Sequence, residues 1–299
     1  MTRADARATL AVIGGSGFYE IEGLEEVQRV TVETPFGATS DSIVLGTLHG
    51  TPVAFLPRHG VGHRILPSEL PQRANIWALA SLGAGYVLSV SAVGSLREEI
   101  APLDIVVPDQ LVDRTRGVRP STFFGNGIVA HVGFEPPFCP TLSAAASGAA
   151  SADTETDVHR GGTLVVIEGP AFSTRAESEI YRSWGASVIG MTALPEAKLA
   201  REAGMCYAML ACVTDYDVWR DGDVVSAEKI VANLRRNVAT ARRIVADVAR
   251  SLPERTCGCA AALSDAVVTP LDIVPEQVRR DLAPILDRAL GAKNTAGRP

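Results

Sequence analysis

The stretch ANIWALASLGAGYVLSVSAVGSL, residues 74–96, decides the fold class of this chain. It contains no charged residue and is long enough to cross a lipid bilayer. Serines, glycines and one asparagine interrupt it, however, and the tripeptide Gly83-Ala84-Gly85 is typical of a turn. We therefore predict the end of a helix, a turn at these glycines and a buried strand over Tyr86–Ser91, with no membrane partner.

The same alternation of helical patterns and short apolar runs extends along most of the chain. The other predicted strands are Leu10–Ile13, Pro52–Leu56, Asp104–Pro108, Thr163–Glu168, Ser187–Met191 and Tyr207–Val213. The predicted helices are Ser68–Leu82, Cys139–Ala150, Arg175–Trp184, Pro195–Ala203, Ala227–Leu252 and one around Pro275–Leu290. Apolar strands without polar alternation are covered on both faces. The pattern therefore predicts an α/β fold in which helices flank a mainly parallel, twisted central sheet.

No linker or change in composition divides the chain. We predict one domain over residues 1–291, followed by a disordered tail at 292–299. The small, polar stretch Ser147–Thr156 is predicted to be a surface loop. The charges near the amino terminus, with no long apolar stretch after them, predict that there is no signal peptide and that the protein is cytoplasmic.

The composition excludes several classes of function. The 299 residues carry 28 Lys and Arg against 34 Asp and Glu, a formal net charge of −6, which gives no electrostatic basis for a nucleic-acid partner. Hydrophobic residues make up 46% and charged residues 21%, close to ordinary globular proteins, which argues against disorder. A soluble enzyme is the class that remains.

The first predicted strand leads directly into Gly14-Gly15-Ser16-Gly17. Glycines at this position let the backbone turn sharply, and backbone N–H groups together with the Ser16 hydroxyl can then bind an anion. The signal is weak on its own, because the third glycine of a dinucleotide fingerprint and the lysine of a P-loop are both missing. A tight turn without a ligand is the alternative.

A cluster of cationic side chains follows the predicted strand Pro52–Leu56. Arg58, His59, His63 and Arg64 lie among glycines at the strand end, where such donors are suited to phosphate. A metal site is less favoured, because no Glu, Cys or third His stands at ligand spacing. A solvated group of charges is the remaining alternative.

Two carboxylates follow the apolar strand that ends near residue 213. Asp215 and Asp217 stand at i and i+2 in an extended segment and point the same way, at the strand end where α/β proteins bind ligands. Repulsion between like charges and burial raise at least one pKa of such a pair, which suits a general acid. An exposed Asx-type turn is the alternative from these residues alone.

The five cysteines do not predict a metal centre. Cys257 and Cys259 form one close pair suited to a redox or metal role, but there is no second close pair, so we predict no zinc and no other metal. Cys139, Cys206 and Cys212 lie in or beside apolar runs, as inert core cysteines do. A Cys257–Cys259 disulfide, or disulfides involving Cys139 and Cys206, stays open.

Several short sequence words occur in an order that is typical of one family. They are IGGSG (13–17), ETPFG (33–37), RHG (58–60), ANIWAL (74–79), GSLREE (94–99), EGP (168–170), RAES (175–178), MT (191–192) and TDYD (214–217). From roughly Leu10 to Leu252 the chain resembles the 5′-methylthioadenosine phosphorylases of the trimeric purine nucleoside phosphorylase group. The resemblance implies the nucleoside phosphorylase fold and a homotrimer, with a dimer of trimers left open. It also implies that the reaction uses no cofactor; inorganic phosphate takes part as a co-substrate.

The same resemblance implies the residues of the site. Phosphate would be bound by Ser16, Arg58, His59, Ser91, the backbone N–H of Ala92, and Thr192. The nucleoside would contact Phe172, Ser173, Met191, Asp215 and Asp217, with His131 from a neighbouring subunit and with Ala227, Ile230 and Val231 lining the 5′ pocket. Asp215 would meet purine N7, and Asp217 would meet the 6-amino group.

The implied reaction is phosphorolysis of 5′-deoxy-5′-methylthioadenosine to adenine and 5-methylthioribose 1-phosphate. A protonated Asp215 would act as general acid, and Asp217 as an acceptor favours a 6-amino over a 6-oxo base. Ala171 stands where many of these enzymes have an arginine, which leaves the 5′ group open. A 5′-halo-5′-deoxyadenosine phosphorylase and a 6-oxopurine nucleoside phosphorylase are the alternatives among enzymes. A nucleoside-binding protein without turnover is the alternative from another class.

Overall fold

Strands and helices alternate along the chain in the computed structural model, which describes residues 8–14, 21–153, 155–220 and 227–288, without the side chains of 227–231. The strands are β1 Leu10–Gly14, β2 Leu24–Val30, β3 Ile43–Leu48, β4 Thr51–Pro57, β5 Tyr86–Ser95, β6 Ile105–Val107, β7 Gln110–Arg114, β8 Val158–Arg160, β9 Thr163–Ile167, β10 Val188–Gly190 and β11 Cys206–Asp215. The helices are α1 Gln72–Ser81, α2 Pro140–Ala152, α3 Arg175–Ser183, α4 Ala193–Glu202, α5 Ala227–Arg250 and α6 Glu276–Asp281.

The eleven strands form one sheet. Its main path has the order β2-β3-β4-β1-β5-β10-β9-β7, and β11, β6 and β8 extend the sheet from β5 in another direction. Six of the strand pairings are parallel and four are antiparallel. The central strands β4, β1, β5 and β11 all run the same way. The predicted α/β fold with a mainly parallel sheet is therefore confirmed.

Helices cover both faces of this sheet, as continuous apolar strands require. In β1, Ala11 and Ile13 lie in one core, whereas Leu10 and Val12 lie in the other. Helices α1 and α4 belong to the first core, and α2 and α5 belong to the second. Burying an aliphatic side chain of this size stabilises the fold by about 1.5–3 kcal/mol, so these two cores hold the strand ends in place.

Strand β5 changes its neighbour halfway along one of its sides. On one side it pairs with β11 along its length. On the other side it pairs with β1 as far as Ser89, and with β10 from Gly94 onward. Backbone groups of successive residues point to alternate sides of a strand, and the Tyr86 N–H points toward β1. The backbone groups of Val90 and Ala92 therefore point into the gap between β1 and β10.

All seven predicted strands are confirmed, as β1, β4, β5, β6, β9, β10 and β11. Both β5 and β11 continue further than predicted, to Ser95 and Asp215. The sequence patterns missed β2, β3, β7 and β8. Strand β2, with the sequence LEEVQRV, is mostly exposed, and β7 is largely polar as well. Such edge strands lack the continuous apolar run by which a buried strand is recognised in a sequence.

The predicted helices are present, but with different ends. Helix α1 begins at Gln72 rather than at Ser68, because Pro71 interrupts backbone hydrogen bonding. Helix α2 is rich in alanine and continues to Ala152, so the prediction of a surface loop from Ser147 is wrong. Helix α6 ends at Asp281, and residues 283–288 form a further helical segment.

The uncharged stretch 74–96 forms helix α1, a turn and strand β5, as predicted. Gly83 lies in the turn with a φ of 97°, a conformation that glycine adopts without strain. Among the residues that the structure describes, no helix is both long and apolar enough to cross a membrane. The predicted tail at 292–299 lies outside the described residues.

Candidate active site

Strands β1 and β4 end together, beside the strand β5 that continues past them. Gly14 at the end of β1 pairs with Pro57 at the end of β4, and the backbone N–H of Arg58 donates to the carbonyl of Gly14 at 2.8 Å. Gly14, the first residue of the predicted glycine turn, therefore lies next to the predicted Arg-His cluster. Ser16 itself lies outside the described residues.

Arg58 is almost completely buried, with 2% of its surface exposed. Its guanidinium pairs with the carboxylate of Glu196 at 2.9 Å and donates to the Ser89 hydroxyl and the Ile13 carbonyl. Although burial opposes the charge, the Glu196 carboxylate raises the pKa of Arg58, so the guanidinium stays charged. Its Nη1 donates to the carbonyl of Val90 at 3.0 Å and has no second acceptor in the described part of the chain. The second N–H of Nη1 therefore remains available beside the gap between β1 and β10.

Glu196 is a residue of the site that the sequence patterns did not indicate. It is fully buried on α4, and its carboxylate also accepts a hydrogen bond from the Tyr207 hydroxyl at 2.9 Å. It stands 138 residues from Arg58 in the sequence. A glutamate in a helix is usually solvated, so only the folded chain shows that it holds the arginine.

His59 is partly buried next to Arg58. Its Nδ1 lies 2.8 Å from the carbonyl oxygen of Ile65, and because a carbonyl only accepts, Nδ1 carries the proton and Nε2 is an acceptor. Burial, reinforced by the positive charge of Arg58, lowers the pKa of His59 to about 4. The imidazole is therefore neutral near pH 7, and Nε2 can accept a hydrogen bond from the P–OH group of hydrogen phosphate.

His59→Asn is expected to flatten the pH dependence of stability between pH 6.5 and 4. The pKa of His59 falls from 6.5 to about 4 on folding, so the unfolded chain binds more protons in this window. The free energy of unfolding of the original chain should therefore decrease as the pH falls from 6.5 to 4, and the variant should lose that component. Urea denaturation at several pH values measures it. The exposed His49→Asn is the control, and equal slopes in the two variants would contradict the prediction.

The other half of the cationic cluster lies at the surface. Arg64 is exposed and pairs with Asp41 at 3.1 Å, and the His63 ring stacks on that of His59 with their centroids 4.2 Å apart. The interpretation as solvated charges is thus correct for Arg64. Arg58 and His59 remain the candidate phosphate ligands of this cluster. In the described ranges no third ligand joins the two histidines, so the metal alternative has no support.

Three more of the predicted phosphate ligands surround the gap between β1 and β10. The Ser91 hydroxyl lies 3.0 Å from the hydroxyl of Thr192, which follows β10. The N–H of Ala92 points into the gap, as the alternation along β5 requires. Arg58 donates to Val90, Ser91 and Ala92 follow Val90 directly along β5, and Thr192 contacts Ser91. Donors grouped in this way are suited to an anion.

Asp215 and Asp217 are both buried at the end of β11, with 8% and 4% of their surfaces exposed. Asp215 accepts hydrogen bonds from the Thr214 hydroxyl at 2.7 Å and from the backbone N–H of Asp217 at 2.8 Å. Asp217 has a φ of 52°, in the left-handed region, so the prediction of an extended segment is wrong. The Asx-type turn exists, but it is buried rather than exposed. The two residues form a buried acidic pair.

One oxygen of this acidic pair lacks a hydrogen bond. Oδ2 of Asp217 is buried and has no partner among the described residues. Burial and the negative charge of Asp215 raise the pKa of Asp217, although the nearby Ser178 hydroxyl opposes the shift. The buried hydroxyl of Ser173 also has no partner within the described ranges. Buried polar atoms are normally hydrogen-bonded, so both are suited to the polar edge of a ligand.

Gly94 of β5 lies between the anion donors and the acidic pair. A Cβ atom added to Gly94 would be 3.1 Å from Oδ1 of Asp215 and 3.3 Å from Cβ of Asp217. Gly94 follows Ala92 by two residues, which is about 7 Å along a strand. Both halves of the predicted site therefore lie along one short stretch of β5.

Arg119 organises the neighbouring ends of β9 and β10, and the sequence patterns missed it. It is buried, pairs with Glu168 at 2.6 Å and donates to the carbonyl of Met191 at 2.6 Å. Gly169 lies directly against Met191, because an added Cβ would be 2.5 Å from its Sδ. Phe172 follows in the same loop and is 54% exposed. The predicted residues Met191 and Phe172 thus lie on segments that one arginine positions.

Two asparagines on α5 support the end of β11. The side-chain amide of Asn233 donates to the carbonyl of Thr214 at 2.7 Å, and that of Asn237 donates to the carbonyl of Val213 at 2.9 Å. They hold the backbone just before the acidic pair. Their spacing of four residues on an amphipathic helix was a signal in the sequence, but it did not identify the partner.

The residues predicted for the 5′ pocket stay predictions. His131 is exposed, and its backbone N–H donates to the carbonyl of Ala266 at 2.8 Å. No contact in the described part of the chain brings it to the acidic pair. The side chains of Ala227, Ile230 and Val231 lie outside the description, although Ala227 begins α5.

The fold is that of a known class of protein. The family model for the phosphorylase superfamily matches residues 9–250, which include β1 to β11 and α1 to α5. The chain belongs to the phosphorylase superfamily.

Relatives that bear the name of one enzyme are similar over nearly the whole chain. The S-methyl-5′-thioadenosine phosphorylase of Geobacter sulfurreducens is 54% identical over 275 residues, which are 91% of this chain and 96% of the relative. That of Gloeobacter violaceus is 53% identical over an alignment of 299 positions, which covers 98% of each chain. The resemblance predicted from the sequence words is therefore confirmed.

Solved structures of methylthioadenosine phosphorylases are also similar to this chain in fold and sequence. A methylthioadenosine phosphorylase from an Antarctic soil metagenomic library matches with a TM-score of 0.89 and 47% identity, covering 94% of this chain and 99% of the other. A variant of the adenosine/methylthioadenosine phosphorylase from Schistosoma mansoni, in complex with methylthioadenosine, matches with a TM-score of 0.76 and 34% identity, covering 94% and 99%.

Proposed function

We propose that this protein catalyses the phosphorolysis of methylthioadenosine to adenine and 5-methylthioribose 1-phosphate, as a pentosyltransferase. Relatives that are 53% and 54% identical bear the name of this activity, and a similar solved structure contains methylthioadenosine. The observation that carries the proposal is the buried, unpartnered Oδ2 of Asp217 beside Asp215, next to the strand that presents the N–H of Ala92.

Phosphate would bind at the gap between β1 and β10. Ala92, Ser91, Thr192 and the remaining N–H of Arg58 would donate to its oxygens. Glu196 balances the charge of Arg58 and His59 is neutral, so binding relies on directed hydrogen bonds rather than on net charge. Nε2 of His59 would accept the hydrogen of monohydrogen phosphate and leave the charged oxygens for the sugar.

The reaction exchanges one bond at C1′ for another. A phosphate oxygen forms a bond to C1′ while the C1′–N9 bond breaks, and that electron pair leaves with the purine. The positive charge that develops on the sugar is stabilised by the phosphate below it. Asp215 would protonate N7 of the departing base as general acid.

Adenine is the base that the acidic pair fits. Oδ2 of Asp217 would accept a hydrogen bond from the 6-amino group, whereas a 6-oxo oxygen would oppose that acceptor. Because the pKa of Asp217 is raised, the pair retains a proton to a higher pH than an isolated aspartate does. In the complex that proton would lie on Asp215, facing N7, and Asp217 would remain the acceptor for the 6-amino group.

Gly94→Ala is expected to weaken adenine binding about tenfold or more, as small displacements in a binding site do. The added methyl group would press on Asp215 and Ile189, each 3.1 Å away, and would displace the acidic pair. Isothermal titration calorimetry with adenine measures the change. Gly148→Ala, at a position with no atom within 4 Å, is the matched control. Equal affinities in the two variants would show that the base does not bind beside β5.

Three further features belong to this proposal. The protein would be cytoplasmic, would need no cofactor or metal for the chemistry, and would form a homotrimer, alone or as a dimer of trimers. The exposure of His131 supports the trimer, because a neighbouring subunit can reach that side chain for its own 5′ pocket. Light scattering on the active enzyme tests this, and an active monomer would rule out the shared pocket.

The decisive experiment mixes the pure protein with methylthioadenosine, with and without phosphate. Chromatography should detect adenine only when phosphate is present. Tight binding with no release would identify a nucleoside-binding protein instead. Parallel reactions with inosine and a 5′-halo-5′-deoxyadenosine rank the alternative substrates, and faster cleavage of inosine would refute the role given to Asp217.

A further inference from the structure

Four of the five cysteines converge at the end of the sheet opposite the candidate active site. The Sγ atoms of Cys139, Cys206, Cys257 and Cys259 all lie within 4.8 Å of one another. The Cys206–Cys257 distance is 3.3 Å and the Cys139–Cys257 distance is 3.6 Å, with all four present as free thiols. Cys139 and Cys206 are buried in the core, as predicted, but they are not scattered.

Three separate parts of the chain supply these thiols. Cys139 is the N-cap residue of α2, and Cys206 is the first residue of β11. Cys257 and Cys259 belong to a short 3-10 turn after α5. Gly204 has a φ of +63°, and a Cβ added to it would lie 3.2 Å from a carbonyl oxygen of that turn. A glycine at this position lets the turn approach Cys206.

The distances fit a tetrahedral metal ion. Zinc–sulfur bonds of about 2.3 Å in a tetrahedral site place the sulfur atoms about 3.8 Å apart. The observed separations of 3.3 and 3.6 Å lie close to this value. Four cysteine sulfurs around one point are also the ligand set that zinc prefers in structural sites.

The surroundings suit the net negative charge of four thiolates around Zn²⁺. As an N-cap residue, Cys139 lies at the positive end of the α2 dipole, which favours a thiolate. Arg255 stands two residues before Cys257. Its Nη1 atom lies 3.3 Å from the position that a Cβ atom on Gly85 would occupy. The carbonyl of Gly85 accepts a hydrogen bond from the N–H of Cys206 at 2.9 Å. A half-buried cation thus lies beside the cluster, and its buried Nε has no partner among the described residues.

We propose that Cys139, Cys206, Cys257 and Cys259 bind one zinc ion that attaches the segment after α5 to the sheet. Binding releases the thiol protons to solvent. Cys206 and Asp215 stand at opposite ends of β11, about 30 Å apart by strand geometry, so the ion has a structural role and none in the chemistry. Sequence spacing did not indicate the site, because Cys257 stands 51 and 118 residues from Cys206 and Cys139.

Metal analysis of the intact protein tests the proposal directly. The protein is purified anaerobically without a metal-binding tag, and its zinc content is measured by mass spectrometry. We expect about one zinc ion per chain, released when a mercurial reagent modifies the thiols. Exchange for Co²⁺ should give the visible absorption of tetrahedral cobalt thiolate. Zinc-free protein with titratable thiols, or peptide mass spectra with disulfides among these cysteines, would overturn the proposal.

A pair of variants separates this site from a general effect of losing a buried cysteine. Cys259→Ala should lower the zinc content about tenfold or more and lower the Tm, with kcat at moderate temperature unchanged. Cys212→Ala is the matched control, because Cys212 is buried but outside the cluster, and it should retain zinc. Full zinc content in Cys259→Ala would overturn the assignment, whatever the stability of either variant.

Discussion

Asp215→Ala is expected to lower kcat for methylthioadenosine about 10²- to 10⁴-fold, the usual contribution of a general acid. The substitution leaves N7 of the departing purine without its proton donor. It also removes the acceptor for the Thr214 hydroxyl and for the N–H of Asp217. Steady-state kinetics at saturating phosphate measure the loss, and circular dichroism checks the fold.

Asp215→Asn separates the two effects of that change. The amide oxygen can still accept the hydrogen bond from Asp217, but the side chain has no carboxyl proton to give. We expect a loss of kcat nearly as large as in Asp215→Ala. Asp272→Ala, at an exposed aspartate, is the control. If Asp215→Asn turned over as fast as this control, the acid would have to be sought elsewhere.

Glu196→Ala is expected to lower the free energy of unfolding by about 3–5 kcal/mol, because it leaves a buried charge unpaired. Arg58 is 2% exposed and cannot lose its proton near neutral pH. The Tyr207 hydroxyl loses its acceptor in the same variant. Urea denaturation at one fixed protein concentration measures the change, since assembly also contributes to stability.

Two further variants define what the buried pair contributes. The double variant Arg58→Met with Glu196→Met removes both charges and should be more stable than Glu196→Ala, because no unpaired charge remains. Glu276→Ala breaks an exposed pair with Arg280 at 2.7 Å and should cost only about 0–1 kcal/mol. A loss in Glu196→Ala no larger than in this exposed control would disprove the role of the pair.

The centre of the fold was predictable because its strands are buried on both faces. Runs such as Leu10–Ile13 and Tyr207–Val213 are apolar without interruption, and only a covered sheet explains them. Strand β2 carries mostly polar side chains at an edge, where pairing rather than side-chain burial defines it. Its existence depends on pairing with β3, and a pairing between two strands is not visible in a local sequence pattern.

The candidate site was predictable where its residues stand at strand ends or in short words, as Arg58 and Asp215 do. Their supporting partners were not predictable, because each contact joins distant parts of the chain: Glu196 holds Arg58, and Asn233 holds the backbone before Asp215. The turn at Asp217 was also missed, since its positive φ depends on a local hydrogen bond that competes with the extended form.

The change of partner along β5 has a consequence for redesigning this protein. Ala92 and Gly94 belong to one continuous strand. The distance between the proposed anion position and the proposed base position is therefore fixed by the backbone, and side-chain substitutions do not change it. Substitutions can alter which base is accepted, but a substrate with a longer sugar would need a residue inserted between these positions. Such an insertion would reverse the facing of every later residue of the strand, including those next to Asp215, so selection for new substrates must act on loops instead.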